Sequence, residues 1–150
     1  MKTKLGISAG FIGVLGFILA LVAMTNYSVV IALLLIVGYV FLNEQNDWLK
    51  ATVLKALVFV LAFYIADALL ILIPTFLDAI GDILYVCGIN FSIKTRISDF
   101  FYFFLNLLKV AYVIIVLLLA FMAPKFKTIK IGFIDKIVNK SILPKENAQQ

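Results

Sequence analysis

The chain has no histidine, a single cysteine at Cys87, and only 14% charged residues. Without histidine, the common zinc sites and a Ser-His-Asp triad are excluded. One cysteine cannot close an intramolecular disulfide, and Cys87 is expected to be a small buried apolar residue. A soluble domain carries about 25% charged residues, so a water-soluble surface cannot be built from so few. No glycine-rich phosphate loop is present. No nucleophile, base and metal set converges anywhere, so no catalytic residue, metal or cofactor is assigned and a non-enzymatic role is expected.

Apolar residues stand in place of the missing ones. They make up 65% of the 150 positions, against about 45–50% in soluble domains, and mean hydropathy is +1.16. This composition predicts an all-α integral membrane protein. Net charge is +5, and six of the thirteen basic residues are lysines after Pro124: Lys125, Lys127, Lys130, Lys136, Lys140 and Lys145. Beside a membrane segment, such lysines suit anionic lipid headgroups rather than nucleic acid.

Four apolar stretches predict a four-span helical bundle at about 5–24, 27–42, 51–73 and 100–123. The opening "MKTK" and its apolar run resemble a signal peptide. The run is long for one and lacks a clean cleavage site, so it is read as a true span. The first two spans are joined only by Thr25 and Asn26, a tight hairpin. Trp48 suits an interfacial anchor. Lys55 lies near the start of the third span and is expected to snorkel to the interface. Pro74 is expected to end that span.

Residues 76–89 carry apolar positions at helical spacing, with Asp78 and Asp82 one turn apart on another face. This predicts a separate interfacial or re-entrant amphipathic helix. The two carboxylates read as a solvated face, since two ligands are too few for a dedicated cation site. Ser98 or Asp99 is expected to cap the fourth span. Residues 124–150 read as a basic cytoplasmic tail. In it, Phe133, Ile134, Ile137, Val138 and Ile142 share one face of a short helix on the membrane surface. Lysine placement predicts both termini in the cytoplasm, most simply across a bacterial inner membrane.

Two features point to interactions inside the bilayer. Asp67 lies roughly 10 Å and Lys109 roughly 13 Å from the outer ends of their spans. An isolated charge at such depth costs about 2.5–3.5 kcal/mol, so an Asp67–Lys109 ion pair is expected, with loss of Lys109 alone destabilising the fold. Tyr102, Asn106 and Lys109 follow helical spacing, with Tyr112 one turn on, and Tyr64 precedes Asp67 by three. These six residues form a candidate polar face, serving either as helix-pairing glue or as a pathway. The second feature is a small-residue stripe, Gly6, Ala9, Gly10, Gly13, Gly16 and Ala20, within about a 120° arc. It suits close packing against the chain's own second or fourth span, or against a second copy.

"FLNEQNDWLKATVLKAL" and "APKFKTIKIGFIDKIVNKSI" carry a resemblance. The first is similar to an acidic loop leading into a span, and the second to a basic stretch running into a short helix. Both occur in small bacterial membrane proteins related to the plastid inner-envelope protein import channel. The two stretches cover under a third of the chain. Trp48-Leu49-Lys50-Ala51 stands where that family carries an aromatic-histidine-alanine motif, and "KIGFI" has no proline before its glycine. The resemblance implies a four-helix membrane domain linked to translocation, and transfers no catalytic residue. The function expected is therefore a small membrane protein that assembles with itself or with a membrane protein partner, as a translocation or transport accessory. The alternatives are a channel or carrier using the Asp67–Lys109 face, and a holin-like permeabilising protein.

Overall fold

Polar side chains mark where the first three helices begin. The computed structural model describes residues 3, 6–88, 93–125 and 131–142. Within these ranges the regular elements are helical. Ser8 caps α1 (Ala9–Ala23), its hydroxyl accepting from the Phe11 N–H at 3.2 Å. Gly6, at φ +75°, lies in the turn before α1, a backbone state that favours glycine. It therefore stands outside the helix that carries the rest of the small-residue stripe. After α1, Asn26 Oδ1 accepts from Ser28 N–H at 3.0 Å and turns the chain into α2 (Val29–Asn43). Asn46 Oδ1 accepts from Leu49 N–H at 3.2 Å and starts α3 (Asp47–Val86). Asp47 adds a negative charge to that positive helix end.

α3 is the main departure from the sequence pattern. It runs for 40 residues through Pro74, where a stop was expected. The proline removes one backbone donor. Next to it, Thr75 Oγ1 donates to the Ile71 carbonyl at 2.9 Å, a hydroxyl-to-backbone bond of the kind that accompanies intrahelical prolines in apolar surroundings. Residues 76–86 thus continue α3 rather than forming a separate interfacial helix, and Ile89 lies outside the described residues. Cys87 follows α3 and is exposed, not buried. α4 (Ile93–Met122) starts well before the expected residue 100, so Ser98 is a buried residue inside the helix and not its cap. A 3-10 turn, Ala123–Lys125, follows α4, and α5 is Gly132–Ile142.

The chain forms two compact units. Unit 1 is Met1–Leu61 with Ile114–Gln150; unit 2 is Ala62–Val113. In unit 1, α1 packs on α2 and on the 3-10 turn. Ala9, Ile12, Val40, Leu49 and Val53 form a buried cluster, with Ile36, Val37 and Trp48 against it. The glycines of α1 explain the close approach. A Cβ on Gly10 would come within 3.1 Å of the Pro124 Cα, and one on Gly13 within 3.1 Å of Thr52 Cγ2. A Cβ on Gly16 would meet Val53 and Ala56 at ordinary contact distances of 3.8 and 3.9 Å. Gly10, Gly13 and Gly16 of the stripe therefore face the start of α3 and the end of the fourth apolar stretch, while Ala9 joins the cluster with Val40 of α2.

In unit 2, α3 and α4 are joined through residues 87–92. The Phe63 and Tyr112 rings meet at a centroid distance of 4.4 Å. Contact at that point, with the connection after Val86, makes the pair an antiparallel hairpin. α3 and α4 are long and apolar enough to cross a membrane. α1 and α2 have 15 residues each, a length of roughly 22 Å against a hydrocarbon core of about 30 Å.

Candidate functional site

The predicted polar face does not assemble as a whole. Tyr112 is buried against Phe63, which also lies beside Tyr64 at 6.0 Å. Tyr102 and Asn106 are exposed, and Lys109 is half-buried. Asp67 lies four residues beyond Phe63, and Lys109 three before Tyr112. In an antiparallel hairpin both therefore sit about one turn, roughly 4.5–6 Å, along from the ring contact. They share a level but form no ion pair. Asp67 Oδ1 is buried with no hydrogen-bond partner. The expected Asp67–Lys109 bridge is thus corrected. A half-buried lysine can carry its ammonium outward along its own stem, which releases it from the carboxylate. Ser98 Oγ is likewise buried with no hydrogen-bond partner.

A buried charge pair does exist, in unit 1, between residues that the sequence pattern left apart. Lys55 Nζ donates to Asp135 Oδ1 at 2.5 Å. The lysine side chain is 3% exposed and the aspartate 26%. Lys55 is therefore held inside the protein and does not snorkel. Asp135 Oδ2 accepts from the Ile131 N–H at 2.7 Å, satisfying a donor at the start of α5. Ile134 and Val138, one turn apart on α5, are buried, while Phe133 is exposed. The tail helix is thus docked within unit 1 by part of its apolar set. One signal was available: a lysine inside an apolar helix needs a carboxylate, and the tail carries two acidic residues among its lysines, Asp135 and Glu146.

Of the predicted headgroup lysines, Lys125, Lys136 and Lys140 are exposed, and Lys127 and Lys130 lie outside the described residues. Lys2, Lys4 and residues 143–150 also lie outside them. Among the described residues, no group of three or more Cys, Asp or Glu side chains is placed to hold a metal ion. No protein-family model matches the chain, and no curated protein or solved structure matches it.

Proposed function

We propose that this chain is a multi-pass membrane protein without enzymatic activity, whose unit 2 hairpin assembles in the bilayer with itself or with a membrane protein partner. One observation carries the reading: unit 2 exposes a broad apolar surface while two of its polar atoms are buried. Leu69, Leu72, Phe76 and Ile83 of α3, and Phe103, Leu107 and Val110 of α4, are each more than half exposed. Asp67 Oδ1 and Ser98 Oγ are buried. In water such a surface is a large adhesive patch; in lipid it is the ordinary exterior, and buried polar groups lie between helices. A role as accessory to translocation or transport rests on the resemblance of "FLNEQNDWLKATVLKAL" and "APKFKTIKIGFIDKIVNKSI" to import-channel relatives.

The four-crossing arrangement requires α1 and α2 to bridge a thinned bilayer, as short helices do. Sidedness does not depend on this. A hairpin of α1 and α2 returns to its starting side whether it crosses or re-enters, and so does the α3–α4 hairpin. Both termini then share the lysine-rich, cytoplasmic side.

The test is co-expression of two differently tagged copies, followed by carbonate washing of the membranes and mild solubilisation. The tagged copies are expected to resist carbonate and to co-purify, with co-purification lost on Leu72→Ala and Phe76→Ala together. Release by carbonate overturns the reading.

The half-buried Asp67, with its Oδ1 buried, favours a second reading, a channel or carrier, because ionisable groups at such positions commonly mark pathways. Ion leakage from liposomes holding the parent, reduced in Asp67→Asn and Lys109→Leu forms that still fold, supports it. No leakage from the parent removes it.

A further inference from the structure

We propose that the outward face of α5 seats on an anionic lipid bilayer, while its inward face is locked to α3. At 100° per residue, Phe133, Lys136, Ile137 and Lys140 fall within about a 100° arc. Phe133 is 73% exposed, and Lys136 and Lys140 are exposed. Ile134 and Val138, centred about 130° away, are buried. Phe133, Ile134, Ile137 and Val138 of α5 therefore divide into an inner pair and an outer pair, and the lysines flank the outer one. An apolar strip bordered by lysines is the chemistry that inserts at the acyl boundary and meets lipid phosphates.

The place of α5 argues for the same partner. Asp135 fixes it beside Lys55, the last charge on α3 before the uncharged stretch 56–66. Lys55 lies seven residues beyond Trp48, roughly 10 Å along α3. A surface helix sits about 5–10 Å into the headgroup and acyl boundary, so α5 is held at the edge of the apolar zone, where that boundary falls. Charge matches as well: the chain carries +5, with six lysines after Pro124, and the cytoplasmic leaflet is negative. The ion pair adds a function of its own. It orients α5 so that Phe133 faces the bilayer and not the protein.

This inference rests on the membrane reading above, and the experiment separates the two. The full chain on a Cys87→Ser background receives an environment-sensitive thiol fluorophore at Phe133→Cys or, in a second protein, at Leu69→Cys. Each is reconstituted in vesicles of phosphatidylcholine with or without phosphatidylglycerol. Spin-labelled lipid and aqueous iodide serve as quenchers. The label at 133 is expected to be quenched by lipid in the phosphatidylglycerol vesicles. Lys136→Gln and Lys140→Gln should each lower the lipid-quenched fraction relative to the iodide-quenched one roughly fivefold. Equal iodide access in both lipid mixtures overturns the proposal. Shielding from both quenchers also overturns it, since a protein then covers α5. Lipid quenching at 69 without quenching at 133 sinks the α5 surface alone, whereas none at either position sinks the membrane reading with it.

Discussion

Lys55 and Asp135, 80 positions apart in the chain, meet at 2.5 Å with the lysine almost fully buried. The two ends of this bridge are not equivalent. Removing the carboxylate takes a counter-charge away from a buried ammonium, which costs about 3 kcal/mol. Removing the ammonium leaves an aspartate that still accepts from Ile131 N–H and still reaches solvent. Asp135→Ala is therefore expected to destabilise by about 3 kcal/mol. Lys55→Met, which keeps the apolar stem, should cost about 1 kcal/mol. The double substitution should be more stable than Asp135→Ala alone. Thermal unfolding of the four proteins in one detergent checks this, and equal losses for the two single substitutions would contradict it.

How much of this was legible in the sequence follows from the kind of interaction involved. The apolar composition and its helical periodicity gave the all-helical class, and the chain does fold into helices. The small residues of α1 announced a close helix contact, because nothing but backbone approach explains Gly10, Gly13 and Gly16 on one face. Their partner was legible only in part: the fourth span was one of the alternatives, and the start of α3 was not, since any helix fits a groove of glycines. Pro74 misled because local rules treat proline as a break. Here the helical phase of the side chains continues past it, and Thr75 supplies a donor to Ile71. Lys55 was misassigned for a similar reason. A lysine near a helix start can always snorkel, and only the folded chain brings Asp135 within reach. Conversely, Asp67 and Lys109 share a level in their hairpin, yet matched depth did not make a bridge.

The α1 glycines should respond to alanine in graded fashion. Alanine gains roughly 1 kcal/mol over glycine in a helix interior. At Gly16 the new methyl meets Val53 and Ala56 at ordinary distances, so Gly16→Ala is expected to be neutral or stabilising by up to about 1 kcal/mol. At Gly10 it presses on the Pro124 backbone at 3.1 Å, and backbone yields poorly. Overpacking of this kind costs about 1–3 kcal/mol, so Gly10→Ala should be net destabilising. Gly13→Ala, facing the Thr52 methyl, should fall between them. The order of melting temperatures is the measurement; Gly10→Ala melting above Gly16→Ala would refute the packing described.

Asp67 and Lys109 lend themselves to a double-mutant cycle. Because they form no ion pair, the effects of Asp67→Leu and Lys109→Leu on stability should add to within about 0.5 kcal/mol. Asp67→Leu alone should raise stability by about 1–3 kcal/mol, since Oδ1 is buried without a hydrogen-bond partner. Exchanging the two charges should rescue nothing. A coupling well above 1 kcal/mol would mean that the two groups pair in the membrane. If Asp67→Leu stabilises the protein and abolishes leakage together, the carboxylate is retained for transport and not for folding.

Cys87 offers a direct reading of sidedness. Its thiol is exposed just after α3, and it is the chain's single cysteine. In the orientation proposed above, the start of α3 and the tail are cytoplasmic, and Cys87 lies on the opposite side. A membrane-impermeant maleimide added to intact cells is therefore expected to label the parent at Cys87. On a Cys87→Ser background, a cysteine in place of Lys125, which is exposed beyond α4, should be labelled only after the cells are opened. Labelling of both from outside would mean that α4 does not cross. Labelling of Lys125→Cys alone from outside would invert the orientation and move the lysine-rich face of α5 away from the anionic leaflet.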